Sequence, residues 1–374
     1  MLKLYLILAV FLVLMLVFTY MMRKTLASKF LFYLSYIFVF VFFIEILCLF
    51  ALKVKSGHWL FNEKKNYNTE LFQPHPYMIS MPVKNAHIEV EDKTYSHNSE
   101  GFRCKEIEKP KEKYRIIAIG GSTTYGTNVS NHQTWTYFLD SMCSDKANVF
   151  NLGIAGHSTA EHLAMVSLIL PEYEADMVLI HCGVNDLRNV YVNNLKADYS
   201  NFHSPHLKAV LGFCHHNQLP PFALLRVSVI FMQRMGLYPK CDYQNMDLSC
   251  QKSEQNLQEA LRIYKRNLDN IISILQGMNV KIVFIPQILH PDAIDKNGLK
   301  WWIPCIEDSD LPDILNLYNS CMMQIADSSQ SVYIHSVTDY DWSKKHFADP
   351  SHLNKGGNLI FARLLYQQIK TIMP

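Results

Sequence analysis

Tyr114-Arg115-Ile116-Ile117-Ala118-Ile119-Gly120-Gly121-Ser122-Thr123-Thr124-Tyr125-Gly126 is a short apolar run that breaks into glycines and hydroxyls. Arg115 to Ile119 has the length and β-branched content of a buried strand, and the glycines mark a tight turn after it. Outward from this run the same kind of segment recurs at Val149 to Leu152, Met177 to Cys182, Val280 to Ile285 and Val332 to His335. Longer amphipathic stretches alternate with them, at Gln133 to Met142, Thr159 to Leu170, Glu254 to Gln276, Leu311 to Ile325 and Gly357 to Ile372. Strands alternating with helices predict an α/β fold of three layers, α/β/α, around a parallel sheet covered on both faces. Such sheets carry their sites beyond the carboxyl ends of the strands.

The unusual residues sit at those ends. The turn from Gly120 to Gly126 fails as a phosphate-binding P-loop, because Thr127 stands where the phosphate-reaching Lys is needed. It fails as a GxSxG nucleophile elbow, because position 124 is Thr124. The glycine spacing also excludes a dinucleotide fingerprint. What remains is Ser122 presented at a strand-to-helix junction, where backbone N–H groups can stabilise an alkoxide or a developing oxyanion. A nucleophilic Ser needs a base, and the base needs an orienting group. Asp349-Pro350-Ser351-His352 supplies both on one loop, with a spacing that lets the carboxylate fix the imidazole tautomer. Two further strand ends, Asn151-Leu152-Gly153-Ile154-Ala155-Gly156 and Gly183-Val184-Asn185-Asp186, offer a glycine N–H and an Asn amide. Each is a neutral donor worth about 3 kcal/mol to an oxyanion in favourable cases. Taken singly, Ser122 reads as a turn serine, Asn185 as a turn cap, Gly156 as a glycine that permits a tight turn and Asp349 as an N-cap; only together do they spell chemistry.

In this order the four segments resemble the blocks of the SGNH (GDSL-like) hydrolase superfamily: Gly120-Gly121-Ser122, then Gly156, then Gly183-Val184-Asn185-Asp186, then Asp349-Pro350-Ser351-His352. The resemblance runs from Tyr114 to the C-terminus apart from an insertion at about 191–253. Asn98-Ser99-Glu100-Gly101-Phe102-Arg103 is similar to a short element that precedes the Ser block in membrane-anchored members. Gly121 departs from the pattern, since many members carry Asp there. The resemblance implies a flavodoxin-like parallel sheet and a catalytic set of Ser122, His352 and Asp349. It further implies an oxyanion hole of the Ser122 N–H, Gly156 and Asn185, and chemistry that needs neither cofactor nor metal. Asp186 and Arg188 read as structural. His157, His162, His181, His215 and His216 lack ligand spacing and are expected at the surface or in loops. Trp301 and Trp302 are candidates for a substrate groove or for packing.

The 374 residues are 49% hydrophobic and only 18% charged, which excludes an intrinsically disordered chain. With 35 basic against 33 acidic residues and no local basic stripe, nucleic-acid binding is set aside. The apolar excess lies at the start. Leu4 to Met22 and Phe30 to Leu52 are runs of 19 and 23 residues separated by Arg23 to Lys29. Each reads as a membrane span, and the pair as a transmembrane hairpin, with a cleaved signal peptide as the alternative for the first. Arg23, Lys24 and Lys29 in the loop oppose Lys3, Lys53, Lys55, Lys64 and Lys65 on the other side, so charge alone leaves the orientation open. Glu45 inside the second run is read as facing the partner helix or snorkelling. Of nine cysteines none has zinc spacing, and Cys241 with Cys250 is the pair placed for a local disulfide.

The expected organisation is therefore a hairpin or signal-anchor over 1–53, a connector with small extended elements over 54–113, and a catalytic domain over 114–374. The expected activity is ester hydrolysis on O-acetyl or other acyl esters of envelope carbohydrate or lipid, by a membrane-anchored enzyme facing away from the cytoplasm. Acyl transfer to a sugar hydroxyl uses the same triad, and a catalytically silent envelope-binding module uses the same fold.

Overall fold

The computed structural model describes residues 2–21, 26–57, 59–60, 68–90, 92–200, 222–237, 249–290, 303 and 305–374. The chain divides into two compact units, Met1–Asn66 with Gly212–Cys241, and Tyr67–Leu211 with Asp242–Pro374.

The first unit contains helices α1 (Leu2–Met21) and α2 (Leu26–Ser56), together with an insertion helix, Ala223–Arg234. Against the two spans expected, one helix among the described residues, Lys29–Lys55, is long and apolar enough to cross a bilayer. The apolar part of α1, Tyr5–Met21, rises only about 25 Å, short of a hydrocarbon core of about 30 Å. The polar exceptions in the two helices are placed inward. Thr19 and Ser35 hydroxyls meet at 3.2 Å, and each also bonds a carbonyl one turn back in its own helix. Glu45 neither snorkels nor stands alone. It accepts from Tyr5 Oη and from the backbone N–H groups of Ala223 and Leu224.

The second unit is built on a five-stranded parallel sheet of β1 (Tyr114–Gly120), β2 (Ala147–Asn151), β3 (Met177–His181), β4 (Lys281–Phe284) and β5 (Val332–Tyr333). Their spatial order is β2-β1-β3-β4-β5, the flavodoxin-like arrangement that the sequence resemblance implies. The continuous apolar run in β1 reflects burial on both faces. Ile117 and Ile119 point into one core with residues of α4 (Thr159–Leu168), α5 (Glu254–Gly277) and α6 (Leu311–Ser328), whereas Ile116 and Ala118 point into another with α3 (Trp135–Cys143) and α7 (Lys355–Ile372). Side chains alternate with period two while no position meets water, so hydrophobicity cannot alternate. Register fixes the functional edge: Ala118 pairs with Asn151, Gly120 with His181, and Phe284 with Tyr333. The turns after β1, β2 and β3 therefore leave the sheet side by side.

Two short antiparallel pairs, Phe72–Pro74 with Ser80–Pro82 and His87–Val90 with Lys93–Ser96, precede the sheet within this unit. The insertion leaves and rejoins it as a paired stem, in which Val192 bridges Cys250 and the flanking backbones bond at 2.8 Å. Cys250 is disulfide-bonded to Cys305, not to Cys241 as expected from proximity in sequence, and Cys241 lies outside the described residues. The stem brings Cys250 back against the segment that enters α6, where Lys252 also pairs with Asp310; separation along the chain is a poor guide to distance once a stem has closed. His215, His216, Trp301 and Trp302 also lie outside the described residues.

His162 and His181 are buried in a helix and at a strand end, contrary to the surface or loop placement expected for them, while His157 lies in the loop before α4 and is buried there. His181 ends β3 under α7, and His162 faces inward from α4, so their positions in the elements override their polarity. Burial pushes the imidazole of His162 down to about 4 and that of His181 to about 3, with His162 nearby adding to the second. Burial also takes His97 down to about 4, although its ring bonds the Val83 carbonyl. Burial acts oppositely on Asp186, whose carboxyl rises to about 7 against the hydrogen bonds from Thr159. An unfolded imidazole titrates near 6.5, so between about pH 4 and 6.5 the unfolded chain binds more protons at the three histidines, whereas the folded chain binds more at Asp186. Three outweigh one. Stability should rise as pH goes from 4 to 6.5, and Asp186→Asn should steepen that rise; urea midpoints measured across the window check both.

Candidate active site

Ser122 is the first residue of a four-residue helical turn, Ser122–Tyr125, that follows β1 directly. Polar side chains hold this turn from below and behind. Asn151, at the end of β2, donates to the Thr124 carbonyl at 2.8 Å, and His181 Nδ1 lies 3.2 Å from Thr124 Oγ1. Arg103, from the Asn98–Arg103 element, is buried and donates to the carbonyls of Tyr125, Gly126 and Val129. That element thus sets where the nucleophile loop ends. Ser122 itself is only partly buried and so is reachable.

Asp349 and His352 come from a loop that closes on itself. Phe347 and Leu353 form an antiparallel bridge, and the Ala348 N–H donates to the His352 carbonyl at 2.7 Å. Between them Asp349 Oδ1 accepts from the backbone N–H of Ser351 at 3.0 Å and of His352 at 2.9 Å. His352 Nδ1 lies 2.8 and 2.7 Å from the two Asp349 oxygens, and His352 Nε2 lies 2.8 Å from Ser122 Oγ. Partial burial pushes the Asp349 carboxyl up, but the His352 ring, its charge and those two N–H groups outweigh it and hold the carboxyl below the usual range. Asn128, which sequence reasoning did not single out, donates to Asp349 Oδ2 at 2.8 Å. The serine loop and the histidine loop are therefore joined twice.

The third group assembles on the other side of Ser122. The Asn185 amide donates to the His157 carbonyl at 2.7 Å, which leaves its second hydrogen for another acceptor. Its oxygen accepts from Arg188 Nη2 at 2.7 Å, and Arg188 Nη1 also reaches the Gly156 carbonyl at 3.4 Å. Gly156 has φ +86°, a left-handed conformation that favours glycine. Among the described residues the N–H groups of Ser122 and Gly156 donate no hydrogen bond. Gly121 explains itself by contact: a Cβ there would lie 2.4 Å from Asn185 Nδ2, so its bare backbone is what lets the amide come close. The structure thus brings Ser122, His352 and Asp349 together, sets the Asn185 amide against Gly121, and ties Asn185 through Arg188 to Gly156. Chemically this offers a hydroxyl on an imidazole whose other nitrogen is held by a carboxylate.

Arg188 reads as structural in the sequence but acts on Asn185. The signal is its place three residues on, in the tight turn Asp186–Asn189, where i and i+3 share a face. A cavity of about 280 Å³ is lined by Arg103 and Asn151, which hold the turn after β1, together with Lys105, Tyr137 and Asp140; Ser122, His352 and Asp349 do not line it. Among the described residues no group of three or more His, Cys, Asp or Glu is placed to hold a metal ion.

Residues 118–360 match the model of the GDSL-like Lipase/Acylhydrolase family, and the chain belongs to that family. It is accordingly an enzyme of the GDSL esterase and acylhydrolase kind, acting on ester bonds. Among solved structures it is similar to TesA, at 12% identity over 69% of this chain and 98% of that one, with a TM-score of 0.42. It is also similar to a mutant of Axe2, an acetyl-xylooligosaccharide esterase from Geobacillus stearothermophilus, at 13% identity over 70% and 96% of the two chains and a TM-score of 0.40. None of the curated proteins compared with the chain matches it.

Arg188→Met removes the hydrogen bond that holds the Asn185 side-chain oxygen. Its expected effect on hydrolysis of an activated ester is a fall in kcat of about tenfold, about 1.4 kcal/mol of barrier, with little change in KM. Steady-state kinetics beside Asn185→Ala check it, since the two losses should not add if they act through one amide.

Proposed function

We propose that this chain is a membrane-anchored serine ester hydrolase that uses Ser122, His352 and Asp349 as its catalytic residues. The observation that carries the reading is the unbroken chain of contacts from Ser122 Oγ through both nitrogens of the His352 ring to Asp349. In the proposed mechanism His352 Nε2 takes the Ser122 proton as the hydroxyl attacks an ester carbonyl. Asp349 keeps the other ring nitrogen protonated and stabilises the imidazolium that forms. The new oxyanion settles against the N–H groups of Ser122 and Gly156 and the free hydrogen of the Asn185 amide. The imidazolium then protonates the leaving alcohol, and water activated by the same ring releases the acyl group.

In this reading residues 1–53 anchor the protein, 54–113 connect and brace, and 114–374 form the catalytic domain, with the insertion over about 191–253. Helix Lys29–Lys55 supports the anchor by length and composition. The Cys250–Cys305 disulfide suits an oxidising compartment, which favours a catalytic domain outside the cytoplasm. Substrates then belong to the envelope side, as O-acetyl or other acyl esters of carbohydrate or lipid.

A fluorophosphonate probe should label the protein at Ser122, with labelling lost in Ser122→Ala and in His352→Ala. Asp349→Asn should keep the fold and lower kcat by about 10³-fold or more, because the base is left in the wrong tautomer. A folded, unlabelled wild-type protein would point instead to a binding module.

A further inference from the structure

The insertion helix, Ala223–Arg234, belongs to the same compact unit as α1 and α2 although more than 160 residues separate it from them. Its N-terminus is fastened inside that unit. The Glu45 carboxylate, 5% exposed, accepts from the N–H of Ala223 and, at 2.7 Å, from that of Leu224, while Tyr5 of α1 donates to the same group. In water the first N–H groups of a helix need no such partner, because solvent serves them. In hydrocarbon each unmet group costs several kcal/mol, and a buried carboxylate is tolerated only when it is hydrogen-bonded.

The outward side of the same helix is apolar. Leu225 is 51% exposed and Phe231 61%, with Met235 and Leu237 beyond them equally bare. The hydroxyl between Leu225 and Phe231, Ser228, is satisfied within its own helix by the Leu224 carbonyl at 2.9 Å. Ser35 and Thr19 in the two N-terminal helices use the same device. Helices α1 and α2 of the same unit are likewise bare, with Phe11, Phe38 and Phe43 more than half exposed.

We propose that the insertion helix lies in the bilayer as a re-entrant helix whose partner is lipid acyl chain. The proposal rests on the reading of α2 as the membrane anchor and adds a second point of immersion to it. Glu45 precedes Lys53, the first basic residue at the end of α2, by eight positions, which places the carboxylate about 12 Å below the plane of that lysine. The 12 residues of the insertion helix rise about 18 Å, enough to carry Arg234 at its end from that depth to a membrane face. Arg226, one turn from the start, is buried within the unit and does not face lipid.

The test uses the full chain reconstituted in vesicles of phosphatidylethanolamine and phosphatidylglycerol at about 3:1, doped with a phospholipid that carries a diazirine in mid-chain. After photolysis, adducts are mapped by mass spectrometry. Adducts on both α2 and the Val227–Arg234 peptide support the proposal. Adducts on α2 with none on that peptide overturn it, by showing the helix covered by water, by another part of this protein or by a second copy, while the anchor reading stands. Adducts on neither overturn the anchor reading as well. Glu45→Ala provides a second readout: adducts on the insertion peptide should be lost while those on α2 persist. Undiminished insertion adducts in that variant would show that Glu45 does not hold the helix at depth.

Discussion

The contact between Ser122 Oγ and His352 Nε2 joins residues 230 positions apart, and polar side chains on both sides of it hold its two ends still. On the serine side, register in the sheet aligns the ends of β1, β2 and β3, so that Asn151 and His181 stand where they can grip Thr124. On the histidine side a closed loop fixes acid and base relative to each other before either meets the serine. Asn128 then ties the two sides directly through Asp349. An isolated hydrogen bond of this kind contributes about 1 kcal/mol net. It persists across so long a separation because the sheet and its flanking helices have already met the entropic cost of closure.

The fold was legible because a parallel sheet writes itself plainly. Runs such as Ile116 to Ile119, apolar at every position, arise only where both faces are covered, and the helices between them carry the period that one-sided burial requires. The motif residues were legible for a related reason: glycines and hydroxyls immediately after such runs stand out against the apolar pattern, at the strand ends where parallel sheets carry their sites. Arg188 and Asn128 were not, because their work is to orient another side chain, and orientation leaves no pattern in one dimension. The buried histidines were misread for the opposite reason. Their residue type suggested solvent, whereas His181 is the last residue of a central strand and His162 lies on the inner face of a helix.

The N-terminal unit shows the same limit from another direction. Glu45 in an apolar helix signals that something must meet it, and composition alone proposes the adjacent helix or the headgroups. Its partners are the Tyr5 hydroxyl and the amide groups of a helix far along the chain. Cys250 likewise has a partner that no local rule selects. In both cases the insertion folds back onto segments distant in sequence: for Glu45 the adjacent helix supplies only Tyr5, and for Cys250 the neighbour reading fails.

The loop that carries Asp349 and His352 closes by its own Phe347–Leu353 bridge, and Asn354 just after it caps α7 by accepting from the Gly357 N–H at 3.0 Å. The spacing between Asp349 and His352 is thus independent of how the polypeptide arrives there. Evolution can lengthen, shorten or redecorate the approach from α6 without disturbing it. The pair travels through such remodelling as a sealed cartridge.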